Sequence, residues 1–486
     1  MALTKHLTEH LAGAAFALLA AGCALQPAYQ RPAPPVAAAY PDGPAYRASA
    51  GADGHTPDEI GWRDFLPDPR LQRLVELALR NNRDLRAAVL NVERVRAQYR
   101  VQQAALFPQL GLGASAAAGS VPGSGPGNSG SSHATRFGAD LSASWEPDFF
   151  GRLHSLSNAA FEQYLASAQA QRAAQILLVS QLAEQYLTML AYGEELAVTE
   201  RTLAATTASW KIVKLQYDTG VASELDLRQS QSAVDLAGAS HAAQLRLQAQ
   251  AQNGLVLLVG QPLPADLPPP LGLNSQRILA DVPAGLPSDL LARRPDILEA
   301  EALLRAETAD IGTARAAFFP NISLTGSLGT ASSTLASLFS GGAGAWTFAA
   351  SLLAPIFDGG ANRANLDLAI IQRDIGVAQY EKAIQTAFRE VADGLAARGT
   401  YTDQLAALQR NEADQQRRLE LANMRYANGV DSYLNVLTAQ TDLYNAQIGV
   451  VTTRLNRLIN LVDLYRALGG GWRARTGEPA CQAGNS

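Results

Sequence analysis

The sequence predicts a mixed α and β membrane protein made of two internal repeats, each joining long helices to a pair of lipid-facing strands. Three observations lead there. Proline is absent between Pro147 and Pro262 and between Pro355 and Pro479, and both stretches are rich in Ala, Leu, Gln, Arg and Glu, which favour helix. Two windows, 101–135 and 316–357, contain no Asp, Glu, Lys or Arg; within and beside them apolar and small polar residues alternate as in half-buried strands. The two halves then match one another at offsets of 208 to 212 residues, which points to duplication.

Taken in chain order, the first element is an export signal. Lys5 and His6 precede an apolar run over 11–21, too short to span a bilayer as a helix. It ends in Ala20-Ala21-Gly22-Cys23, which resembles a bacterial lipoprotein signal. Residues 1–22 are then a signal peptide and Cys23 is the lipidated first residue of the mature chain. Ala24 rather than Asp after the cysteine fits sorting to the outer membrane. Residues 23–69 hold the lipid anchor and a tether rich in Pro, Ala and Gly, a composition expected to stay extended and not to pack.

The first repeat occupies 70–260 and the second 288–468, with a linker over 261–287 and a tail over 469–486. Each begins with a helix, near 70–106 and 288–318. Strands follow at 108–119 and 136–146, and at 320–330 and 345–355. Leu106-Phe107-Pro108 corresponds to Phe318-Phe319-Pro320 at the entry to the first strand of each pair. Trp145 and Trp346 stand at strand ends, where an aromatic girdle meets the membrane interface. Long helices come next, at 152–218 and 222–260, then 359–427 and 431–468. Between Arg152 and Tyr217 the only glycine is Gly193, and a continuous helix there is ~100 Å long. Such lengths imply a coiled coil or a helical tube. Tyr217-Asp218-Thr219-Gly220-Val221 corresponds to Tyr426-Ala427-Asn428-Gly429-Val430, where each long helix turns back. Four strands leave two open edges, and unpaired backbone in lipid costs several kcal/mol per group. Closing a barrel takes about eight strands, so the chain must oligomerise; two, three or four copies all satisfy this.

Charged residues are 17% of the 486 and the net charge is -5, so no basic field attracts nucleic acid. Two cysteines make no disulfide framework, and six scattered histidines give no metal-site spacing. Gly111-x-Gly113 lies within a strand pattern and is not a phosphate loop. No catalytic constellation is present, so the chain is not expected to be an enzyme or to hold a metal, and its one expected non-protein group is the lipid on Cys23.

Together the duplicated order, the strand–loop–strand windows, the Phe-Pro entries and the Tyr-x-x-Gly-Val tips resemble the outer membrane factor family, the TolC/OprM type of channel-tunnel. The cysteine places the chain with the lipoprotein branch that serves resistance-nodulation-division multidrug pumps. The resemblance implies a homotrimeric channel-tunnel with a 12-stranded β-barrel in outer-membrane lipid, four strands per protomer, and a long α-helical barrel in the periplasm. It also implies a periplasmic adaptor, an inner-membrane pump, and a passive exit duct for drugs and toxic small molecules. Two other readings stand beside it: a conduit for type I protein secretion, and a lipid-anchored coiled-coil spacer without a pore.

Two places are expected to matter. The family uses its helix tips for adaptor contact, which carries that role to Gly220, Val221, Gly429 and Val430. The family also narrows its periplasmic entrance with aspartates on the second-repeat helix, but Asn435 and Thr438 stand there, and the carboxylate is Asp226 in the first repeat. Three-fold symmetry would gather three Asp226 side chains, whose like charges oppose full ionisation. Asp226, Asn435, Tyr217 and Tyr426 are therefore the expected hydrogen-bonded gate.

Overall fold

The structure is a computed structural model that describes residues 25–46, 56–122, 131–279, 285 and 287–477. The expected signal peptide, Cys23 and Cys481 lie outside the described residues. The elements run α1 (Trp62–Phe65), α2 (Pro69–Asn81), α3 (Arg83–Ala104), β1 (Gln109–Pro122), β2 (Ser131–Trp145), α4 (Arg152–Asp218) and α5 (Glu224–Val259). They continue with α6 (Pro287–Arg293), α7 (Pro295–Ala316), β3 (Asn321–Ser332), β4 (Gly344–Leu353), α8 (Ala361–Ala427) and α9 (Tyr433–Ala467). One order of elements thus occurs twice. Corresponding helices match in length: α3 and α7 have 22 residues each, α4 and α8 67 each, α5 36 and α9 35.

The starts of α4 and α8 are each set by an aspartate and a glycine. Asp148 accepts from the His154 amide at 2.7 Å, and Asp358 accepts from Gly360 and Asn362 at 2.9 and 2.8 Å, satisfying amides that have no partner within the helix. Gly151 and Gly359, at φ 72° and 65°, make the bend from strand to helix.

The helices leading into the strands are each divided, not single as the sequence suggests. Asn82 is extended (ψ 131°), its side chain capping Leu85 at 2.9 Å and donating to the Leu258 carbonyl at 2.9 Å. Arg294 precedes Pro295, whose ring disfavours a helical conformation in the residue before it. The Arg294 guanidinium is buried at this break, bound to Asp296 (2.6 Å), Glu390 (2.8 Å) and the Ala467 carbonyl (2.9 Å).

The chain falls into two compact units. One comprises residues 1–33, 91–168 and 299–381 and holds the sheet; the other comprises 34–90, 169–298 and 382–486 and holds the helix reversals. In the second unit the folded body begins well before residue 70. Trp62, Phe65 and Leu66 are buried, and the Phe65 ring stacks on Tyr465 at 3.9 Å. The Trp62 and Arg63 amides donate to the carbonyls of Arg473 and Ala474 at 2.9 and 3.2 Å, and Asp64 accepts from the Thr476 amide at 2.8 Å. The tail expected from residue 469 onward is, through Thr476, part of this core. Buried Asp68 caps α2 by accepting from Arg70 (2.8 Å) and also takes Tyr186 (3.0 Å) and Gln276 (2.7 Å), joining three distant segments at one carboxylate.

In the first unit the four strands form one antiparallel sheet in the order β1-β2-β3-β4, with β1 and β4 at its edges. β1 runs to Pro122 and β2 starts at Ser131, both nearer the connecting loop than the alternating pattern reaches. The Pro-rich tether is extended, but it packs. Residues 25–31 lie on α4 and α7, where the Asn158 amide donates to Gln26 (3.0 Å) and Arg315 donates to the Leu25 carbonyl (3.2 Å).

Candidate functional site

In an antiparallel sheet directly opposed residues share a face, so the register sorts the strands into two surfaces. One row across the sheet is Leu112, Leu141, Leu328 and Trp346; its neighbours are Leu110, Ala143, Gly326 and Phe348 on one side and, beyond, Trp145, Leu324 and Ala350. This face is uncovered: Leu112 is 87% exposed and Trp346 75%. The opposite face carries Gly111, Ser142, Ser327 and Thr347 in one row and Gly113, Asp140, Gly329 and Ala345 in the next. Its hydroxyls bond to one another, Ser323 with Ser351 and Ser327 with Thr347, both at 2.7 Å. One face of the sheet is thus apolar and uncovered and the other polar, the alternation that a strand between lipid and water requires. Trp145 lies at the end of β2 nearest α4 and donates its indole N–H to the Leu106 carbonyl at 3.1 Å, whereas Trp346 lies near the loop end of β4. The two tryptophans are therefore at opposite ends of the sheet.

The tips are built alike. Gly220 (φ 78°) and Gly429 (φ 69°) take the left-handed conformation. The Gly220 amide returns to the Tyr217 carbonyl at 2.9 Å and Val221 to Gln216 at 2.7 Å. Gly429 returns to Tyr426 and Val430 to Arg425, each at 2.9 Å. This pair of bonds closes a helix end by satisfying its last carbonyls. It leaves Val221 and Val430 exposed at the reversals. Behind them Val213, Ala422, Tyr433, Val436 and Ala439 pack together, with Leu419 and Tyr426 against them.

The four expected gate residues do not bond to one another within a protomer. Asp226 bonds to Ser223 Oγ (2.7 Å) while its own amide donates to that oxygen (3.1 Å), a reciprocal cap on α5. The pattern Ser223-x-x-Asp226 is the sequence signal for that cap. The Tyr426 hydroxyl donates to Gln216 Oε1 at 2.9 Å, and its ring packs on Tyr433. Burial pushes that hydroxyl's pKa up and the nearby Asp226 charge adds to the effect, so these two groups do sense one another. Asn435 bonds instead to Asp431, whose carboxyl is held below its usual range by Arg425 at 2.5 Å. Tyr217 is exposed.

A further site has no signature in the sequence. Glu301 on α7 is 3% exposed and takes Arg31 in two bonds, 3.0 and 2.7 Å, Arg305 at 2.8 Å and the Tyr29 hydroxyl at 3.2 Å. The Arg305 guanidinium also lies over the Tyr29 ring, 5.0 Å from its centre. This clamp binds the segment that follows Cys23.

Compared with known proteins, the chain matches the model of the outer membrane efflux protein family twice, over residues 74–261 and 286–470. It belongs to that family. The chain is 46% identical over 482 residues, 99% of either chain, to the toluene efflux pump outer membrane protein TtgC of Pseudomonas putida. It is equally similar to the antibiotic efflux pump outer membrane protein ArpC of the same species, again 46% over 482 residues. Among solved structures, the open state of the MtrE outer membrane channel of Neisseria gonorrhoeae is 36% identical, with a TM-score of 0.83 over 94% of this chain and 100% of that one. This outer membrane efflux protein is the outer-membrane component of a tripartite efflux system, placed in the outer membrane and extending into the periplasm.

Proposed function

We propose that three copies of the sheet join edge to edge, β4 of one against β1 of the next, to close a 12-stranded barrel over a helical tunnel. The observation that carries this reading is the uncovered apolar face bounded by two open edges, which lipid covers and only closure completes. The polar face then lines a water-filled duct. Among the described residues no helix is long and apolar enough to cross a membrane. The duct is passive, its energy coming from an inner-membrane resistance-nodulation-division pump through a periplasmic adaptor. The names of the relatives, toluene and antibiotic efflux pumps, support small apolar molecules and drugs as cargo.

The adaptor meets the tips at Gly220, Val221, Gly429 and Val430, and a lipid on Cys23 adds a second hold on the membrane. The tunnel is narrowest near Asp226, Asn435, Tyr217 and Tyr426. The caps and pairs that Asp226, Asn435 and Tyr426 make within a protomer hold the tips closed until the adaptor splays them.

The test is native mass measurement of the detergent-purified mature protein, followed by single-channel recording in a planar bilayer. A mass of three chains with discrete conductance steps is expected. A monomer without conductance would return the chain to the spacer reading.

A further inference from the structure

The polar face of the sheet is almost neutral. Arg136 and Asp140, both on β2, are the only Asp, Glu, Lys or Arg residues in the four strands. Their even numbering puts them on one face with Ser142 and Ser144, and four residues of strand separate them by about 13 Å.

Position 140 differs from the others on this face. Its cross-strand neighbours are Gly113 on β1 and Gly329 on β3, the one place on β2 where both partners lack a side chain. A Cβ on Gly113 would sit 3.4 Å from the Asp140 carboxylate, and one on Gly329 would meet Asp140 Cβ at 2.8 Å and press on the Ala139 carbonyl. Real Cβ atoms do not come that close, so position 329 is confined to glycine by the approach of β2. The rows on either side offer hydroxyls; this row offers none. Asp140 thus rises, half-buried, between two glycines, with no side chain directly opposite it on either neighbouring strand.

We infer that Asp140 and Arg136 form two opposed bands of charge in the duct, each holding in check the other's preference for one sign of solute. This inference rests on the three-copy barrel proposed above. Twelve strands spaced about 4.8 Å and tilted about 40° give a backbone radius of roughly 12 Å, so each carboxylate lies about 9 Å from the axis. At 0.01 M salt the screening length is about 30 Å, and three such charges reach the axis; at 1 M it is about 3 Å and they do not. The Arg136 band, about 13 Å along the strand toward the loop end, lies within that dilute-salt screening length and opposes the Asp140 field.

The experiment is the reversal potential of the purified channel in a bilayer under a KCl gradient centred near 0.01 M, repeated in 1 M salt. Asp140→Asn is expected to lower the cation-to-anion permeability ratio roughly twofold to fivefold in dilute salt. Arg136→Gln is expected to raise it, and both effects vanish in 1 M salt. Arg136→Gln keeps the test open should Asp140→Asn fail to assemble. Unmoved reversal potentials for both variants, in channels that conduct normally, overturn the charge assignment alone. Absence of conductance from the unaltered protein overturns the duct itself, and this inference with it.

Discussion

The Glu301 clamp allows a quantitative test of whether the segment after Cys23 is a fixed part of the fold. The perturbation is Glu301→Gln, which keeps the size of the side chain and removes the charge that four bonds converge on. A hydrogen bond to a charged group is worth about 1.5–3 kcal/mol. Arg31 and Arg305 are 47% and 40% exposed, so water takes over much of what they lose, and screening discounts the sum. The net cost to seating the segment is therefore about 2 kcal/mol, or roughly 30-fold in the population of the released form, at about 1.4 kcal/mol per tenfold. Chymotrypsin cleavage after Tyr29 reports that population when opening is fast relative to cutting. The variant should be cut roughly 30-fold faster at neutral pH while the helical body melts at an unchanged temperature. The pH dependence has a definite sign. Burial alone would raise the Glu301 pKa, but the bonds from Arg31 and Arg305 outweigh it and hold the carboxyl below its usual range. The stabilisation is thus complete above the ordinary glutamate value and is lost as pH falls through the lower folded one. In acid, the unaltered protein should come to resemble the variant. Equal cleavage of both proteins at neutral pH would refute the clamp.

Two other perturbations probe the helical unit. Burial, reinforced by the charge of Asp463, raises the Glu184 pKa to about 7. The folded state therefore binds this proton more tightly than the unfolded one, and stability present below the ordinary glutamate value declines as pH rises toward 7. Glu184→Gln removes that decline, so the gain in melting temperature over the unaltered protein should be larger at pH 8 than at pH 5; equal gains would exclude the effect. At the tips, Gly429→Ala meets no atom within 4 Å, so its cost is purely the left-handed backbone, about 1–2 kcal/mol. Hydrogen exchange at the amides of residues 429 and 430 should accelerate roughly fivefold to thirtyfold, and an unchanged rate would mean the tip does not depend on that glycine.

Much of the architecture was legible because it rests on local chemistry. Absence of proline marked the long helices, and alternation marked the middle of each strand. The ends were harder: Ser131 to Thr135 does not alternate in polarity, and these residues join β2 only because β1 stands opposite. The helix break at Arg294 had a signal in the proline after it, whereas Asn82 breaks its helix through a bond to Leu258, 176 residues away. The same distance effect hid the burial of Trp62 and Phe65, whose partners lie beyond residue 460. At the tips, Gly220 and Gly429 could be read as reversals from their own conformational freedom. Asp226 could be read as a charge at a turn, but the shape of its bonding depends on Ser223, three residues earlier. Glu301 could not be found at all, because an isolated glutamate in a helix carries no mark of the two arginines and the tyrosine that fold onto it.

The pairing of residues 61–64 with 473–476 bears on how the chain is made. A polypeptide crossing the inner membrane from its amino end presents Trp62 and Phe65 to the periplasm about 400 residues before Tyr465 and Arg473 arrive. Until then the Phe65 ring lacks the Tyr465 ring that stacks on it, and the Trp62 and Arg63 amides lack their acceptors. The pairing of the helical unit's first segment is completed only when Thr476 has been delivered. A ribosome that stops short of residue 473 thus releases a protomer whose seam stays open.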